Sequence, residues 1–576
     1  MKQPNFSLYL TNWKAAILLS LLIWISQVMN AQYMLKDIEP TNGIPGAPVD
    51  FAQLDSNTVI FVAFTLATGS ELWKTDGTTN GTVLLQDINP LSSVDAGANF
   101  IKLGDRLIFV GVNGVDEELY ITDGMPGGTQ LITEINPNGS ANPENFIKLD
   151  SVLYFVAEDG THGRELWRCD GTATGTYMVK DIFPGDNSSD AFSINKPIQL
   201  AAEGGILYFG ADDGTHGIEL WRSDGTDSGT YLVQDINPGM ADGEPGWFKE
   251  INGKIIFGAD DGQIGEELWI TDPASDSTQL LVDIHPGILP SQLSFTTRFK
   301  DHIYFSAADQ SGAQLYRTDG TASGTTSLTI GTQEAPKPAN FIIMDSILYF
   351  TADTRAAGRE LWRTDGTQAG TYLVADINQE RDGRGDGFVP GFGFDPRNMV
   401  VAGDSLLYFP ATDEINTSTE TTDELYVTNG TATQLVKDIY PGIEGSNPRH
   451  FFQMANGKVL FAANDGVHNI ELWTLDPDSS TVSIERLQLN RSNLITEIFP
   501  NPSHDTFSIG VSLSQSEEVE FVIFDGTGTL CQTKSLGRLA AGQHNLRGDL
   551  TQFPAGVYLI RLRVGDQIDS RRIIRQ

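Results

Sequence analysis

A Glu-Leu-aromatic triplet, or a close variant of it, recurs nine times in this chain. The copies start at Glu71, Glu118, Glu165, Glu219, Glu267, Gln314, Glu360, Glu424 and Glu471. Successive spacings are 47, 47, 54, 48, 47, 46, 64 and 47 residues. A period in the forties restricts the chain to a solenoid or a propeller, because each unit is one supersecondary element that only its neighbours can cover.

The copy around Glu165 shows what a unit contains. Residues 145–149, 152–157, 164–168 and 176–182 are short apolar runs, separated by Asp150-Ser151, Glu158-Asp159-Gly160 and Asp170-Gly171-Thr172. Four such runs joined by turn residues predict four antiparallel strands in hairpin order, the content of one propeller blade. In Leu153-Tyr154-Phe155-Val156 both alternating faces are apolar, as they are in Leu207-Tyr208-Phe209 and Ile255-Ile256-Phe257. A strand apolar on both faces is covered on both, and a blade between two blades meets that condition. The prediction is an all-β propeller of about nine four-stranded repeats over residues 32–485. Rings usually hold about four to eight blades, so an eight-bladed ring and two smaller rings are the alternatives. Residues 33–40 resemble the fourth-strand segments 232–238 and 435–441 but precede any unit. They are expected to complete the last blade.

Acidic residues dominate the repeats. The net charge is −38; the first 31 residues carry +2 and residues 493–576 carry −1, which leaves −39 on residues 32–492. A body this acidic repels phosphate backbones and excludes nucleic acid as a partner. Much of the acid has a local explanation. Asp-Gly recurs at Asp76, Asp123, Asp170, Asp224, Asp319 and Asp365, with Asn429-Gly430 and the Asp-Pro pairs at Asp272 and Asp476 in the same place. All of these build turns. The sharper reading is a divalent cation at Asp212, Asp213, Asp260 and Asp261, in the loops before two triplets. Calcium takes six to eight oxygens, and no loop has the alternating acid spacing that wraps one ion. Beyond calcium no cofactor is expected.

His162, His216 and His468 occupy equivalent loops, which points to a structural role. No nucleophile elbow, zinc-protease helix or phosphate-binding glycine loop is present, so no catalytic residue is assigned. The two cysteines, Cys169 and Cys531, belong to no ligand cluster. The repeat is interrupted at 378–393 and 413–422, which together produce the 64-residue spacing. Insertions in repeat arrays fall on loops, often on the binding face. Arg381, Arg384, Asp386 and Phe388 are therefore the candidate partner-binding residues.

Glu-Leu-Trp, two residues, then Asp-Gly-Thr is complete at 71–78, 165–172, 219–226 and 360–367. It resembles the ELWxxDGT repeat of bacterial surface and secreted proteins, a resemblance that implies no particular chemistry. At the N-terminus, Lys14 precedes an apolar run over 15–25, and a small residue, Ala31, follows. This reads as a signal peptide cleaved after Ala31; the run is shorter than the roughly 20 residues of a bilayer span. No later stretch is apolar enough to span a membrane.

After a linker over 486–492 the repeat gives way, from Asn493, to about seven short strand-like runs, which predict a small immunoglobulin-like β-sandwich. Phe499-Pro500-Asn501-Pro502, Val522-Ile523-Phe524-Asp525, Gly556-Val557-Tyr558 and the basic ending with Arg571-Arg572 resemble the type A sorting domain of the type IX secretion system. The resemblance implies export across the outer membrane of a Bacteroidetes-type bacterium, handling by the secretion machinery and its sorting peptidase, and release or surface attachment. The sorting signal it implies comprises Pro500, Asn501, Pro502, Gly556, Tyr558, Arg571 and Arg572. The functional expectation is an exported cell-surface or secreted propeller that binds an extracellular glycan or protein. The alternatives are a polysaccharide hydrolase or lyase and a calcium-stabilised structural surface protein.

Overall fold

The structure, a computed structural model, describes residues 32–88, 99–185, 200–377, 399–476 and 495–575, with the exception of 42, 114–115, 331–334, 355–357, 376, 404, 412–422, 442–444, 500–502, 504–505, 514, 526–529, 555 and 565–566. These residues fall into two compact units, one ending at Pro477 and one beginning at Asp478.

The first unit holds nine four-stranded antiparallel sheets among the described residues. In the sheet that carries Glu165 the strands are Glu144–Leu149, Val152–Glu158, Arg164–Cys169 and Tyr177–Lys180, side by side in chain order. Seven more sheets repeat that order. The remaining sheet is assembled from both ends of the unit. Arg449–Gln453, Val459–Asn464 and Ile470–Leu475 are followed in space by Gln32–Lys36. Tyr33 lies opposite Thr474, and Met34 opposite Trp473. The first strand of the unit thus takes the fourth place in its last sheet, and the arrangement is propeller-like.

Packing explains why the second strands are apolar on both faces. Ile108, Leu119 and Ile121 of one sheet share a core with Leu153, Phe155, Ala157 and Trp167 of the next. The first full sheet and the last share one as well: Val59, Phe61, Ala63 and Trp73 pack with Leu35, Met454, Leu460 and Leu472. Phe155 is wholly buried, and burying such a side chain stabilises the fold by about 1.5–3 kcal/mol.

Backbone bonds stitch successive sheets at the crossovers that lie among the described residues. The Ala47 N–H donates to the carbonyl of Ile470 at 3.0 Å, while the Gly46 carbonyl accepts from Phe64 N–H at 2.8 Å. The crossover residue Ala141 bonds in the same way to Glu117 behind it and Glu158 ahead of it, each at 2.9 Å.

The fourth strand is shorter than the apolar run that marks it, ending at Lys180 rather than near residue 182. The reason is Glu165. Its carboxylate accepts the N–H groups of Ile182 at 3.0 Å and Phe183 at 3.1 Å, and so turns the chain towards the next sheet.

The second unit contains a three-stranded sheet of Ile495–Phe499, Thr506–Leu513 and Gly542–Asp549 and a four-stranded sheet of Leu530–Leu539, Glu517–Asp525, Gly556–Val564 and Gln567–Arg575. Phe507, Ile509 and Val511 from the first sheet meet Phe521, Ile523, Ile560 and Leu562 from the second in one core.

Candidate functional site

In each four-stranded meander, strand direction alternates. The start of the first strand, the turn between the second and third, and the crossover to the next sheet therefore share one end. The Asp-Gly-Thr turns share the other.

The residues of the repeated motif are occupied by the frame. At the Asp-Gly-Thr end, Asp224 Oδ1 accepts from the N–H and hydroxyl of Thr226 at 2.9 and 2.6 Å, and Thr226 Oγ1 accepts from Gly229 N–H at 3.1 Å. Gly225 has φ of +85°, and a Cβ there would lie 2.1 Å from the Tyr154 hydroxyl. Asn429 builds the same turn with its carboxamide oxygen.

At the crossover end, Glu219 accepts from Ile236 N–H at 2.7 Å and Asn237 N–H at 3.1 Å. Glu471 does the same for Ile38 and Gly46. Burial pushes the carboxyl groups of Glu118, Glu219, Glu267 and Glu471 up to about 7, against the opposing pull of these N–H donors.

The four aspartates read as possible cation ligands lie in two separate loops at this crossover end. Asp212 accepts from Gly214 N–H, and Asp213 accepts from Thr215 and His216 N–H and contacts His216 Nδ1 at 2.8 Å. Asp260 and Asp261 likewise accept from Gly262, Gln263 and Ile264. Among the described residues no three His, Cys, Asp or Glu side chains converge on one point. His162 and His468 make the same contact, with Asp159 and Asp465. The aspartate hydrogen bond raises the pKa of all three imidazoles.

The motif does not account for a cavity of about 540 Å3 at the crossover end of the first strands. Asp50 and Phe51 line it from one sheet, Asn99, Phe100 and Ile101 from the next, and Glu144, Asn145 and Phe146 from the third. A bulge shapes its wall. The pairing of first and second strands slips between Val49 and Ala52 and again between Glu144 and Ile147. Asp50, Asn99 and Asn145 there have φ of +53°, +39° and +58°, a region that Asp and Asn tolerate better than most residues. The next residue packs inward: the Phe51 and Phe146 rings lie 5.3 and 5.7 Å from Phe61 and Phe155. Arg164 pairs with Glu144 and donates to the Asn142 carbonyl at 3.0 Å. The recurring dipeptides Asp50-Phe51, Asn99-Phe100 and Asn145-Phe146 are the sequence signal for this wall, since Asn or Asp at the start of an otherwise apolar run marks a residue in the left-handed region.

Of the partner-binding candidates, Arg381, Arg384, Asp386 and Phe388 lie outside the described residues, as do Ala31, Pro500, Asn501 and Pro502. The interruption that holds the first group begins beyond Tyr372–Ala375, a fourth strand, and the second interruption begins beyond Leu406–Ala411, a second strand. Both strands run towards the crossover end. In the second unit, Gly556 opens its strand, and the buried Tyr558 donates its O–H to the Pro554 carbonyl at 2.7 Å. Arg571 and Arg572 sit in the last strand opposite Ile560 and Leu559.

Residues 497–576 match the secretion system C-terminal sorting domain family. That domain marks the chain for type IX export to the cell surface or extracellular space. No curated protein matches the sequence. Among solved structures, a puromycin hydrolase is similar at 15% identity and a TM-score of 0.34, over 64% of this chain and 59% of its own. PorZ, an essential surface component of the type IX secretion system of Porphyromonas gingivalis, is similar at 14% identity and a TM-score of 0.33, over 93% of this chain and 75% of its own. A Mycobacterium tuberculosis puromycin-hydrolyzing peptidase is similar at 12% identity and a TM-score of 0.34, over 63% of this chain and 58% of its own. The chain thus spans less than two thirds of the length of the hydrolase and peptidase it resembles. No helix among the described residues is long and apolar enough to cross a membrane.

Proposed function

We propose that residues 32–485 form a closed nine-bladed ring of ELWxxDGT repeats that serves, outside the cell, as a binding module for an extracellular glycan or protein. The strand Gln32–Lys36 locks the ring as the fourth strand of its last blade. The sorting peptidase removes the C-terminal unit after recognising a signal that includes Pro500, Asn501, Pro502, Gly556, Tyr558, Arg571 and Arg572, and the body is then released or attached to the surface.

The observation that supports a binding role is the division of labour between the two kinds of residue. The Asp, Glu and His of the motif are consumed by turns and crossovers. The cavity opens at the end from which both interruptions of the repeat depart. The test is a glycan array and a pull-down from extracellular material, performed with the secreted chain and with a variant lacking residues 380–392. Retention of a specific ligand by the full chain, and its loss in the variant at unchanged melting temperature, is the expected result. A full chain that retains nothing contradicts the reading.

A further inference from the structure

We infer that the cavity lined by Asn99 and Asn145 binds a neutral oligosaccharide. The inference rests on the binding-module reading and narrows its ligand to an uncharged sugar chain.

The charges around the cavity are balanced. Asp50 and Glu144 line it, and Arg164 pairs with Glu144. Arg449 and His450 open the neighbouring first strand, that of the last sheet. His450 takes the place there that Asp50 takes on its own strand: the register slips between Arg449 and Phe452 as it does between Val49 and Ala52, and the two residues have φ of +55° and +53°. The two strands meet, with the Phe452 ring 6.1 Å from that of Phe51. Two carboxylates thus answer two guanidinium groups, with an imidazole beside them, and no excess charge of either sign selects an ionic ligand. The −39 charge of residues 32–492 further disfavours acidic sugars.

What the lining offers is neutral and hydrogen-bonding. The Asn99 and Asn145 carboxamides make no hydrogen bond among the described residues, and each presents an acceptor oxygen and two N–H donors. A hydroxyl is donor and acceptor at once and rotates to suit its partner, so adjacent sugar hydroxyls can occupy both ends of one carboxamide. A peptide amide, whose N–H only donates and whose carbonyl only accepts, lacks that freedom. The same arrangement recurs along the wall: Asp50-Phe51, Asn99-Phe100 and Asn145-Phe146 come from three successive sheets, and a row of like stations fits a ligand made of like units. The half-buried Phe51, Phe100 and Phe146 add apolar lining for the C–H faces of the sugar rings. A volume of about 540 Å3, within the roughly 300–1,000 Å3 of ordinary ligand sites, admits a short oligosaccharide.

The test is titration calorimetry on the secreted chain. The neutral probes are maltotriose, cellotriose, mannotriose and tri-N-acetylchitotriose. The controls are trigalacturonate, the deacetylated chitosan trimer and acetylated, amidated triglycine. At least one neutral trisaccharide is expected to bind, with an affinity indifferent to salt. Asn99→Gly and Asn145→Gly remove the carboxamides and accept the left-handed backbone. Each should lose about tenfold of that affinity at unchanged melting temperature. No binding of any neutral trisaccharide, or undiminished binding by both variants, overturns the inference. A control that binds at least as tightly as every neutral trisaccharide overturns it too, and leaves the binding-module reading standing. A chain that binds no probe and retains nothing in the pull-down ends both.

Discussion

The backbone N–H of Ile38 donates to the carboxylate of Glu471 at 2.7 Å, across 433 positions of the chain. Glu471 accepts from Gly46 as well, at 2.8 Å. Elsewhere the triplet glutamate reaches forward along its own stretch of chain, 17 and 18 residues from Glu219 to Ile236 and Asn237 and 15 and 16 from Glu424 to Ile439 and Tyr440. One carboxylate therefore performs the same task within a unit and across the chain ends.

Asp224 is assigned to a turn, and the turn at Asn429 supplies its control. Asp224→Asn keeps the oxygen that accepts from Thr226, and its effect on stability should stay within about 0.5 kcal/mol. Asp224→Ala removes that acceptor and should cost about 1 kcal/mol. Chemical denaturation of the secreted chain measures both. A calcium-dependent melting temperature that vanishes in Asp224→Asn would instead assign the residue to a cation.

The buried glutamates set a pH dependence. Glu118, Glu219, Glu267 and Glu471 are pushed up to about 7 from an ordinary 4.5. A carboxyl raised on folding contributes stability that is fully present below its unfolded value and lost as pH rises through its folded one. The raised imidazoles of His162, His216 and His468 act in the same direction. The melting temperature should therefore be several degrees higher at pH 5 than at pH 8. A midpoint that rises over that interval contradicts the burial of these groups as the dominant influence.

Tyr558 anchors a corner of the C-terminal unit through the Pro554 carbonyl. Tyr558→Phe removes one part-buried hydrogen bond and should cost about 1 kcal/mol while leaving export intact. Deleting residues 497–576 should leave the chain in the periplasm. The fraction of chain recovered from the medium and the cell surface decides between these outcomes.

Much of this was legible in the residues. The Glu-Leu-aromatic spacing counted the units, and doubly apolar segments such as Leu153-Tyr154-Phe155-Val156 announced a strand covered on both faces. Asp-Gly-Thr announced its turn because Asp, Gly and Thr act there on their immediate neighbours. The task of Glu165 was not legible, because it captures Ile182 and Phe183, and no pattern of periods encodes which N–H groups a carboxylate will meet. The cavity was hidden for a related reason. Asp50, Asn99 and Asn145 are far apart in sequence and meet only because three first strands converge. Asp212 and Asp213 cap their own loop with the same oxygens that made them candidates for a cation.

The proposed binding module is a closed ring, so closure is the claim on which the rest depends. Tyr33 and Thr474 are opposite partners in the last sheet, at the separation of antiparallel neighbours, about 4.5–5.5 Å between Cα atoms, which a disulfide can span. The secreted chain carrying Tyr33→Cys and Thr474→Cys, with Cys531→Ser to remove the partly exposed thiol, should form that disulfide quantitatively under air. The bond would show as a mobility shift in denaturing gels that reductant abolishes. Two freely titratable thiols at positions 33 and 474, in a chain that still melts cooperatively, would mean that the first strand does not close the ring.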